Sequence, residues 1–381
     1  MRKSILFLIA MILVNSSLVA NDCVFYVNGN QLVPSDQESD ISVKKEILTI
    51  SLQDNGFTKV DVYYEFNNNS QKPKTVLMGF EADNPYNAEE PFNPKGVHPN
   101  IYNFTVNMNG SVLPYSNAIV ESEIPEGFKP LDLNTWKAEG QAYEDSGYQV
   151  LQNGDKTKKF SYAYSFKATF EPGINRVVHS YNYDTSFGVG QAFMIDYKLT
   201  PATRWANKQI DDFTLVIRAD NTAKHFRINK AAFKTGEFKL IEGVGKCRDT
   251  KYADQDWVEI SLRNGVYSWH SDNYKPADEL AIYSCESLYY DYDNDKEPLK
   301  LGSTYDRSRT FTYMHPIDTE FKVRVAHNLP YAHRGYVFSK PELKEYFEKF
   351  WWYMPDPQYK ANTDDFTEKD WEFVKKEKDK E

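Results

Sequence analysis

Apolar and polar residues alternate along most of the chain up to residue 285. The alternation is regular in four segments, at residues 60–66, 160–170, 213–217 and 258–262. A period of two is typical of antiparallel strands that bury one face. Turns between strands are predicted by Pro-Gly at 172–173 and by Asn-Gly at 55–56, 109–110 and 264–265. Many short strands with such turns predict a mainly β fold, an antiparallel β-sandwich over residues 21–285.

Two parts of the predicted sandwich have little periodicity. Residues 81–100 contain four prolines, and residues 114–155 are rich in turn-forming residues, with a short helix predicted near residues 133–142. Long loops on a rigid sheet often carry binding function, but they are also places where insertions are tolerated. The sequence leaves both interpretations open.

The pattern changes from strand to helix near the C-terminal end. Residues 286–311 are polar and charged and predict a linker, and residues 312–381 predict a small helical module. The clearest helix of this module has apolar residues at i, i+3, i+4 and i+7, namely Leu343, Tyr346, Phe347 and Phe350.

Capping signals predict where the helices of this module begin. Ser339 and Glu342 have the spacing of a capping box, and Pro341 between them suits the first turn of a helix. A second cap is predicted at residues 367–370, with Phe366 and Trp371 spaced as a hydrophobic staple around it.

The first twenty residues have the features of a secretory signal peptide. Arg2 and Lys3 precede an apolar run at residues 5–14, which is shorter than the roughly 20 residues that span a bilayer. Small residues predict cleavage after Ala20, and because Cys23 is not the next residue, a lipid anchor is not expected. The alternative is an uncleaved N-terminal anchor. We expect a mature chain without a transmembrane segment, secreted across the inner membrane to the periplasm or the cell surface.

The charge of the mature chain excludes one class of partner. Removing Arg2 and Lys3 from the 45 basic residues leaves 43 against 55 acidic ones, a net formal charge of −12. Because such a surface repels phosphate backbones, nucleic acid is not expected as a partner. The 27 tyrosines and 24 phenylalanines indicate strands with one wet face or, less often, an aromatic surface that binds glycan.

Three cysteines, Cys23, Cys247 and Cys285, remain after cleavage. A disulfide is expected in an oxidising compartment, and we predict Cys247–Cys285 because both lie in the same predicted β-region. Cys23 is then a free thiol or an alternative partner. The spacing of the three cysteines does not match a zinc site.

No catalytic motif is present in the sequence. HExxH, GxSxG and glycine-rich phosphate loops are absent, and the seven histidines are scattered singly. The acidic residues at 291–295 begin like a calcium loop, but Lys296 and Gly302 occupy positions where such a loop has Gly and Glu. We therefore expect no catalytic residues, no metal and no cofactor, and the sequence favours a non-enzymatic protein.

Residues 312–381 resemble the YARHG module, a short C-terminal domain of secreted bacterial proteins. The residues that carry the resemblance, in order, are Asn328, Tyr331, Ala332, Gly335, Phe338, Leu343, Tyr346, Phe347, Trp352 and Tyr353. The chain departs from the family at His333-Arg334, which is inverted, and at Pro330, where the family implies a continuing helix. The resemblance implies a helix over residues 321–328, although the alternation of Phe321, Val323 and Val325 alone would predict a strand.

The β-region also resembles a family of secreted bacterial β-rich domains without assigned activity. The resemblance is carried by Asn-Asp at 21–22 and by residues 60–66, 172–181, 197–205 and 269–282. It covers most of residues 21–285 and implies a fold rather than an activity.

The resemblance to YARHG supplies the candidate binding residues. They are Tyr331, His333, Arg334, Tyr336, Trp351 and Trp352. One interpretation makes them a recognition surface for glycan or peptide, and the other makes them part of the core of a small domain, with Gly335 in the turn between two helices.

We expect an exported, non-catalytic binding or envelope-maintenance protein with cell-wall or envelope-protein partners. The alternatives are a hydrolase acting on envelope polymers and a structural subunit of a surface assembly. A hydrolase requires converging carboxylates or a His–carboxylate pair in a pocket, whereas a structural subunit requires a large exposed apolar patch or an open sheet edge.

Overall fold

The structure is a computed structural model. It describes residues 20–28, 31–34, 38–53, 57–83, 101–121, 160–184, 186–188, 191–221, 223–252, 254–284, 319–366, 368, 370–371 and 375.

The described chain is mainly β, as the alternation predicted. The strands are β1 (Ala20–Asn28), β2 (Gln31–Pro34), β3 (Ile41–Leu52), β4 (Phe57–Asn68), β5 (Lys74–Asp83), β6 (Ile101–Met108), β7 (Ser111–Val112), β8 (Ser116–Glu121), β9 (Phe160–Phe170), β10 (Gly173–Asp184), β11 (Ser186–Gly188), β12 (Gln191–Tyr197), β13 (Ile210–Ala219), β14 (Lys224–Asn229), β15 (Lys239–Tyr252), β16 (Gln255–Tyr274) and β17 (Leu280–Ser284). Two described helices follow, α1 (Thr319–His333) and α2 (Pro341–Glu348). Neither is long and apolar enough to cross a membrane.

The strands form two sheets that pack face to face, so the prediction of a sandwich is confirmed. The smaller sheet has the order β2-β1-β5-β9-β8, and the larger has the order β11-β12-β17-β14-β16-β13-β3-β4-β10-β6-β7, with β15 paired to β16. Among the described pairs only β3 and β13 run parallel. The sheets meet through aromatic contacts such as Phe66–Phe170, with ring centroids 5.5 Å apart, and Phe80–Phe104, with centroids 5.1 Å apart.

The alternating segments supply this core. In β4 the side chains of Val60, Val62, Tyr64 and Phe66 are buried while the residues between them are partly exposed. Phe213, Leu215 and Ile217 of β13 are buried in the same way. A strand places successive side chains on opposite faces, which is why the period of two in the sequence becomes one buried and one wet face.

Two of the four predicted turns are confirmed. Gly173 has φ +88° between β9 and β10, and Asn109 and Gly110 have φ values of 52° and 88° between β6 and β7. Positive φ at both central residues is the geometry of a type I′ hairpin turn. The Asn-Gly pair at 55–56 lies outside the described residues.

The turn predicted at Asn264-Gly265 is wrong, because these residues lie inside the 20-residue strand β16. There one neighbour of β16 changes from β14, which pairs as far as Leu262, to β13, which pairs from Gly265. Asn264 has φ +44° and donates its backbone N–H to Asp220 O at 2.7 Å. The positive φ that favours Asn-Gly therefore bends a continuing strand instead of reversing it.

Parts of the predicted loops are strands. Residues 81–83 belong to β5 and residues 116–121 to β8. Residues 114 and 115 are described and have no regular secondary structure. Residues 84–100 and 122–155, which include the helix predicted near 133–142, and the linker 286–311 lie outside the described residues.

The C-terminal helices have their own apolar core. The helix that the family resemblance implied over residues 321–328 is confirmed as part of α1, and Pro330 lies inside it. The apolar face predicted for α2 is also confirmed, since Leu343, Tyr346, Phe347 and Phe350 are all buried in this core.

The predicted start of α2 is only partly correct. Pro341 is the first helical residue, but the N-cap is Lys340 and makes no side-chain capping hydrogen bond. The capping box predicted from Ser339 to Glu342 is therefore wrong, because the helix begins one residue later than that motif requires. Thr367, the first residue of the second predicted cap, lies outside the described residues.

Candidate functional site

Arg263 joins the β-sandwich to the C-terminal helices. It lies on β16 on the face opposite Leu262, whose side chain is in the sandwich core. Its Nη1 donates to His333 O at 2.8 Å and its Nη2 donates to Met354 O at 3.1 Å. Because the side chain makes both bonds while only 7% of the residue is exposed, the guanidinium is held by the helical module rather than by water.

Gly335 provides the space for this guanidinium. Its φ is +85°, and a Cβ added to it would lie 2.1 Å from Arg263 Nη2 and 2.5 Å from Met354 O. Glycine is thus required twice, by the backbone conformation and by the close approach of the arginine. We call the carbonyls of His333 and Met354 together with Gly335 the arginine socket.

Trp351 makes a second contact between the same two parts. The Arg248 guanidinium lies 4.2 Å from the centre of the Trp351 ring, and Lys246 Nζ lies 5.8 Å from it. Both cations are on β15, and Arg248 also forms an ion pair with the buried Glu259 at 2.7 Å. A cation over an aromatic face is attracted by the ring quadrupole, so Trp351 reinforces the docking made by the socket.

His225 of β14 lies near Arg263, because it pairs with Ser261, two residues before Arg263 on β16. Its Nδ1 is 2.8 Å from Ser261 Oγ, and the residue is buried. Burial and then the nearby charge of Arg263 lower the pKa of His225 to about 4. The imidazole is therefore neutral at physiological pH, and a neutral ring beside the socket adds no repulsion to the arginine.

Acidification should weaken the fold through His225. The unfolded chain takes up a proton at this residue below a pKa of about 6.5, but the folded protein does so only near 4. Stability from this group is complete above pH 6.5 and is lost as the pH falls toward 4, by about 3 kcal/mol at most. We expect the loss in urea-unfolding free energy between pH 7 and pH 4.5 to be smaller in His225→Gln than in the native protein. An equal loss in both proteins would contradict this role.

Four aromatic rings of the helical module form a continuous strip. The ring centroids of Trp371 and Phe366 are 5.1 Å apart, those of Phe366 and Tyr331 are 4.6 Å apart, and those of Tyr331 and Tyr336 are 6.0 Å apart. Trp371 is 49% exposed and the other three are partly exposed. We call these four residues the aromatic strip.

Arg334 holds in place the segment that carries two rings of the strip. Its guanidinium forms an ion pair with Asp370 at 2.7 Å and donates to Pro330 O at 2.8 Å and to Asp365 O at 2.6 Å. It also lies 5.2 Å from the centre of the Phe366 ring. Arg334 therefore ties α1 to the segment that carries Phe366 and Trp371.

Comparison with known families agrees with this organisation. Residues 317–380 match the YARHG domain. The chain carries a C-terminal YARHG domain. At the other end, residues 20–120 match a domain of unknown function, DUF4424, in agreement with the resemblance seen in the β-region. No curated protein matches the chain.

Three solved structures resemble the chain at low identity. A proposed nutrient-binding protein from Legionella pneumophila subsp. pneumophila str. Philadelphia 1 is 17% identical, with 96% of this chain and 99% of that chain covered and a TM-score of 0.49. An M1 zinc metallopeptidase from Deinococcus radiodurans is 10% identical over 65% of this chain and 43% of that chain, with a TM-score of 0.25. A proposed protease from Parabacteroides distasonis ATCC 8503 is 10% identical over 66% and 42%, with a TM-score of 0.28. The chain spans less than half the length of the last two, and at these scores no activity transfers to it.

The six candidate residues lie in three parts of the YARHG domain. Tyr331, Arg334 and Tyr336 come together at the aromatic strip. His333 and Trp351 face the β-sandwich, His333 through its backbone carbonyl. Trp352 is buried in the core of the YARHG domain, 4.9 Å from His333 and 5.5 Å from Phe350 between ring centroids.

Several residues of the aromatic strip and of the arginine socket contact were not predicted as binding residues. Phe366 and Trp371 were interpreted only as a helix staple, although a tryptophan within the charged segment 367–381 is a usable signal for a surface. Arg263 has no such signal, because an arginine on the polar face of a strand ordinarily points into water.

The predicted disulfide Cys247–Cys285 stays a prediction, because Cys285 lies outside the described residues. The neighbouring residue Ser284 is described. Ser284 pairs with Phe226, Phe226 pairs with Ile260 on its other side, and Ile260 pairs with Cys247. Three strand spacings of about 4.8 Å separate Ser284 from Cys247. A bridge needs Cα atoms within about 7 Å.

Proposed function

We propose that this chain is an exported, non-catalytic binding protein of the cell envelope whose YARHG domain contacts cell-wall material through the aromatic strip. The proposal includes a signal peptide at residues 1–20, a β-sandwich domain at 21–285, a linker at 286–311 and the YARHG domain at 312–381. YARHG domains are typical of extracellular proteins, which supports a location in the periplasm or at the cell surface.

The observation that carries the proposal is the exposure of the aromatic strip. A domain of this size usually buries its large aromatic residues in its core, and Trp352 and Tyr353 are buried in this way. Trp371 instead leaves about half of its surface in water while its ring is held against Phe366. Pre-ordered rings of this kind present apolar area at little entropic cost and are enriched where proteins bind partners.

The strip is also chemically suited to a polymer with apolar and polar groups. The Tyr331 and Tyr336 rings combine an apolar surface with a hydroxyl group that can form hydrogen bonds. Arg334 is committed to Asp370, Pro330 and Asp365, so its role is to position the rings rather than to meet the ligand.

The substitution Trp371→Ala should weaken binding to cell-wall sacculi by about tenfold, which corresponds to about 1.4 kcal/mol of lost stacking. The measurement is co-sedimentation of the purified full chain with isolated sacculi over a range of sacculus concentrations. Folding is checked by thermal unfolding. Because about half of the Trp371 surface is exposed, its loss should reduce stability only slightly.

The matched control is Tyr102→Ala. Tyr102 lies on β6 of the sandwich and is 44% exposed, so it is an aromatic residue of similar exposure outside the YARHG domain. Binding that falls equally in both variants would remove the strip as the specific surface. Absence of binding by the native chain would overturn cell-wall material as its partner.

A further inference from the structure

We propose that the arginine socket is a guanidinium-binding site and that Arg263 occupies it from within the same chain. The ligand class is an arginine side chain presented on an extended strand. The proposal does not depend on the aromatic strip, because the socket includes none of its four residues.

The two acceptors of the socket suit a guanidinium rather than an ammonium group. His333 O and Met354 O come from separate parts of the domain, one at the end of α1 and the other after α2. Each receives a hydrogen bond from a different Nη atom of Arg263. The planar fork of a guanidinium presents two such donors at a fixed separation, whereas a lysine presents a single charged nitrogen.

The shape of the socket agrees with this selectivity. The Gly335 Cα would carry a Cβ only 2.1 Å from Nη2 and 3.0 Å from the Cζ atom of Arg263. The glycine thus leaves a space that the flat end of the guanidinium fills. A side chain at this position would close the space from the side on which the arginine enters.

Acidic and aromatic groups of the YARHG domain make the site favourable for a cation. Burial lowers the pKa of Arg263, while the nearby Asp356, Tyr359 and Tyr353 oppose this effect. Asp356 is also held in place, because its backbone N–H donates to Gly335 O at 2.7 Å. The carboxylate therefore stays close to the charge that the socket takes up.

The strand that carries Arg263 explains how the side chain is presented. Arg263 pairs with Val244 of β15, and the cations that contact Trp351 lie on that same strand. The socket and Trp351 thus contact side chains from two adjacent strands. An arginine fixed on a sheet has lost part of its freedom before it binds, which lowers the entropic cost of docking.

The test is chemical rescue of Arg263→Ala in the full chain. The variant is titrated with methylguanidinium up to a few tens of millimolar, while the Gly335 amide and the Trp351 indole are followed by NMR. We expect both signals to be shifted in the variant and to return toward their native positions in a saturable way. Methylammonium chloride at the same concentration should have less than a tenth of this effect, and neither salt should shift the signals of the native protein, whose socket is occupied.

A second variant separates recognition from charge. Arg263→Lys keeps the positive charge but has one donor nitrogen on a shorter side chain, so it cannot place two donor nitrogens at the positions of Nη1 and Nη2. Its Gly335 signal should therefore resemble that of Arg263→Ala before rescue. If Arg263→Ala does not fold, refolding yields with and without methylguanidinium replace the titration, and only recovery specific to methylguanidinium supports the site. Native-like signals in Arg263→Lys, or equal rescue by both salts, would overturn the proposal.

Discussion

Arg334→Ala should destabilise the YARHG domain by about 3–5 kcal/mol, the usual cost of removing one partner from a buried ion pair. The substitution removes the hydrogen bonds of the guanidinium to Pro330 O and Asp365 O. It also removes the ion pair with the Asp370 carboxylate, whose side chain is only 2% exposed. A domain of fewer than eighty residues has little stability in reserve. We therefore expect the YARHG domain to unfold at denaturant concentrations at which the β-sandwich stays folded.

Denaturant unfolding followed by limited proteolysis measures this effect, and Arg324→Ala is the matched control. Arg324 belongs to the same helix, but its ion pair with Glu342 is formed by side chains that are 37% and 64% exposed. Removing such a pair costs at most about 1 kcal/mol. Equal destabilisation by the two variants would show that the Arg334–Asp370 pair contributes no more than a surface pair.

Gly335→Ala should release the YARHG domain from the β-sandwich. An L-residue at φ +85° costs about 1–2 kcal/mol, and the new Cβ would also overlap the Arg263 guanidinium and the Met354 carbonyl. The guanidinium can move away from the new Cβ only by leaving the socket, and the Met354 carbonyl can move only with its backbone. Both changes break the contact between Arg263 and the YARHG domain. Small-angle X-ray scattering of the full chain should show an increased radius of gyration, and the Trp351 indole NMR signal should lose its native position.

Gly110→Ala separates backbone strain from this overlap. Gly110 has φ +88°, but a Cβ added there would meet no atom within 4 Å. Its alanine variant should have only the strain, with the radius of gyration and the Trp351 signal unchanged. If Gly335→Ala behaves in the same way as Gly110→Ala, the close approach of Arg263 does not hold the two domains together.

These two predictions distinguish two structural roles within three consecutive residues. Arg334 acts inside the YARHG domain by fixing the segment that carries the aromatic strip. His333 and Gly335, on either side of it, act outward through the socket and fix the domain on β16. A ligand bound at the strip would therefore be held on a surface that the β-sandwich orients.

Much of the fold could be predicted from local patterns because the physical cause is local. The alternation in β4, β9 and β13 required one buried face, and sheets with one buried face pack in pairs. For α1, the alternation of Phe321, Val323 and Val325 suggested a strand, and the family resemblance correctly indicated a helix. The helical period was also present, since Val325, Leu329 and Ala332 are buried at i, i+4 and i+7.

The sequence by itself determined the sandwich, the apolar face of α2 and the YARHG resemblance, because each depends on residues close together in the chain. Only the tertiary structure decided which residues meet at the candidate sites. Arg263 and His333 are 70 residues apart, and a polar residue on a strand gives no sign of the carbonyl that will accept its hydrogen bond. The same holds for Asn264-Gly265, whose bend depends on the strands that pair beside it. Local preference sets the conformations that are available, and long-range packing selects among them.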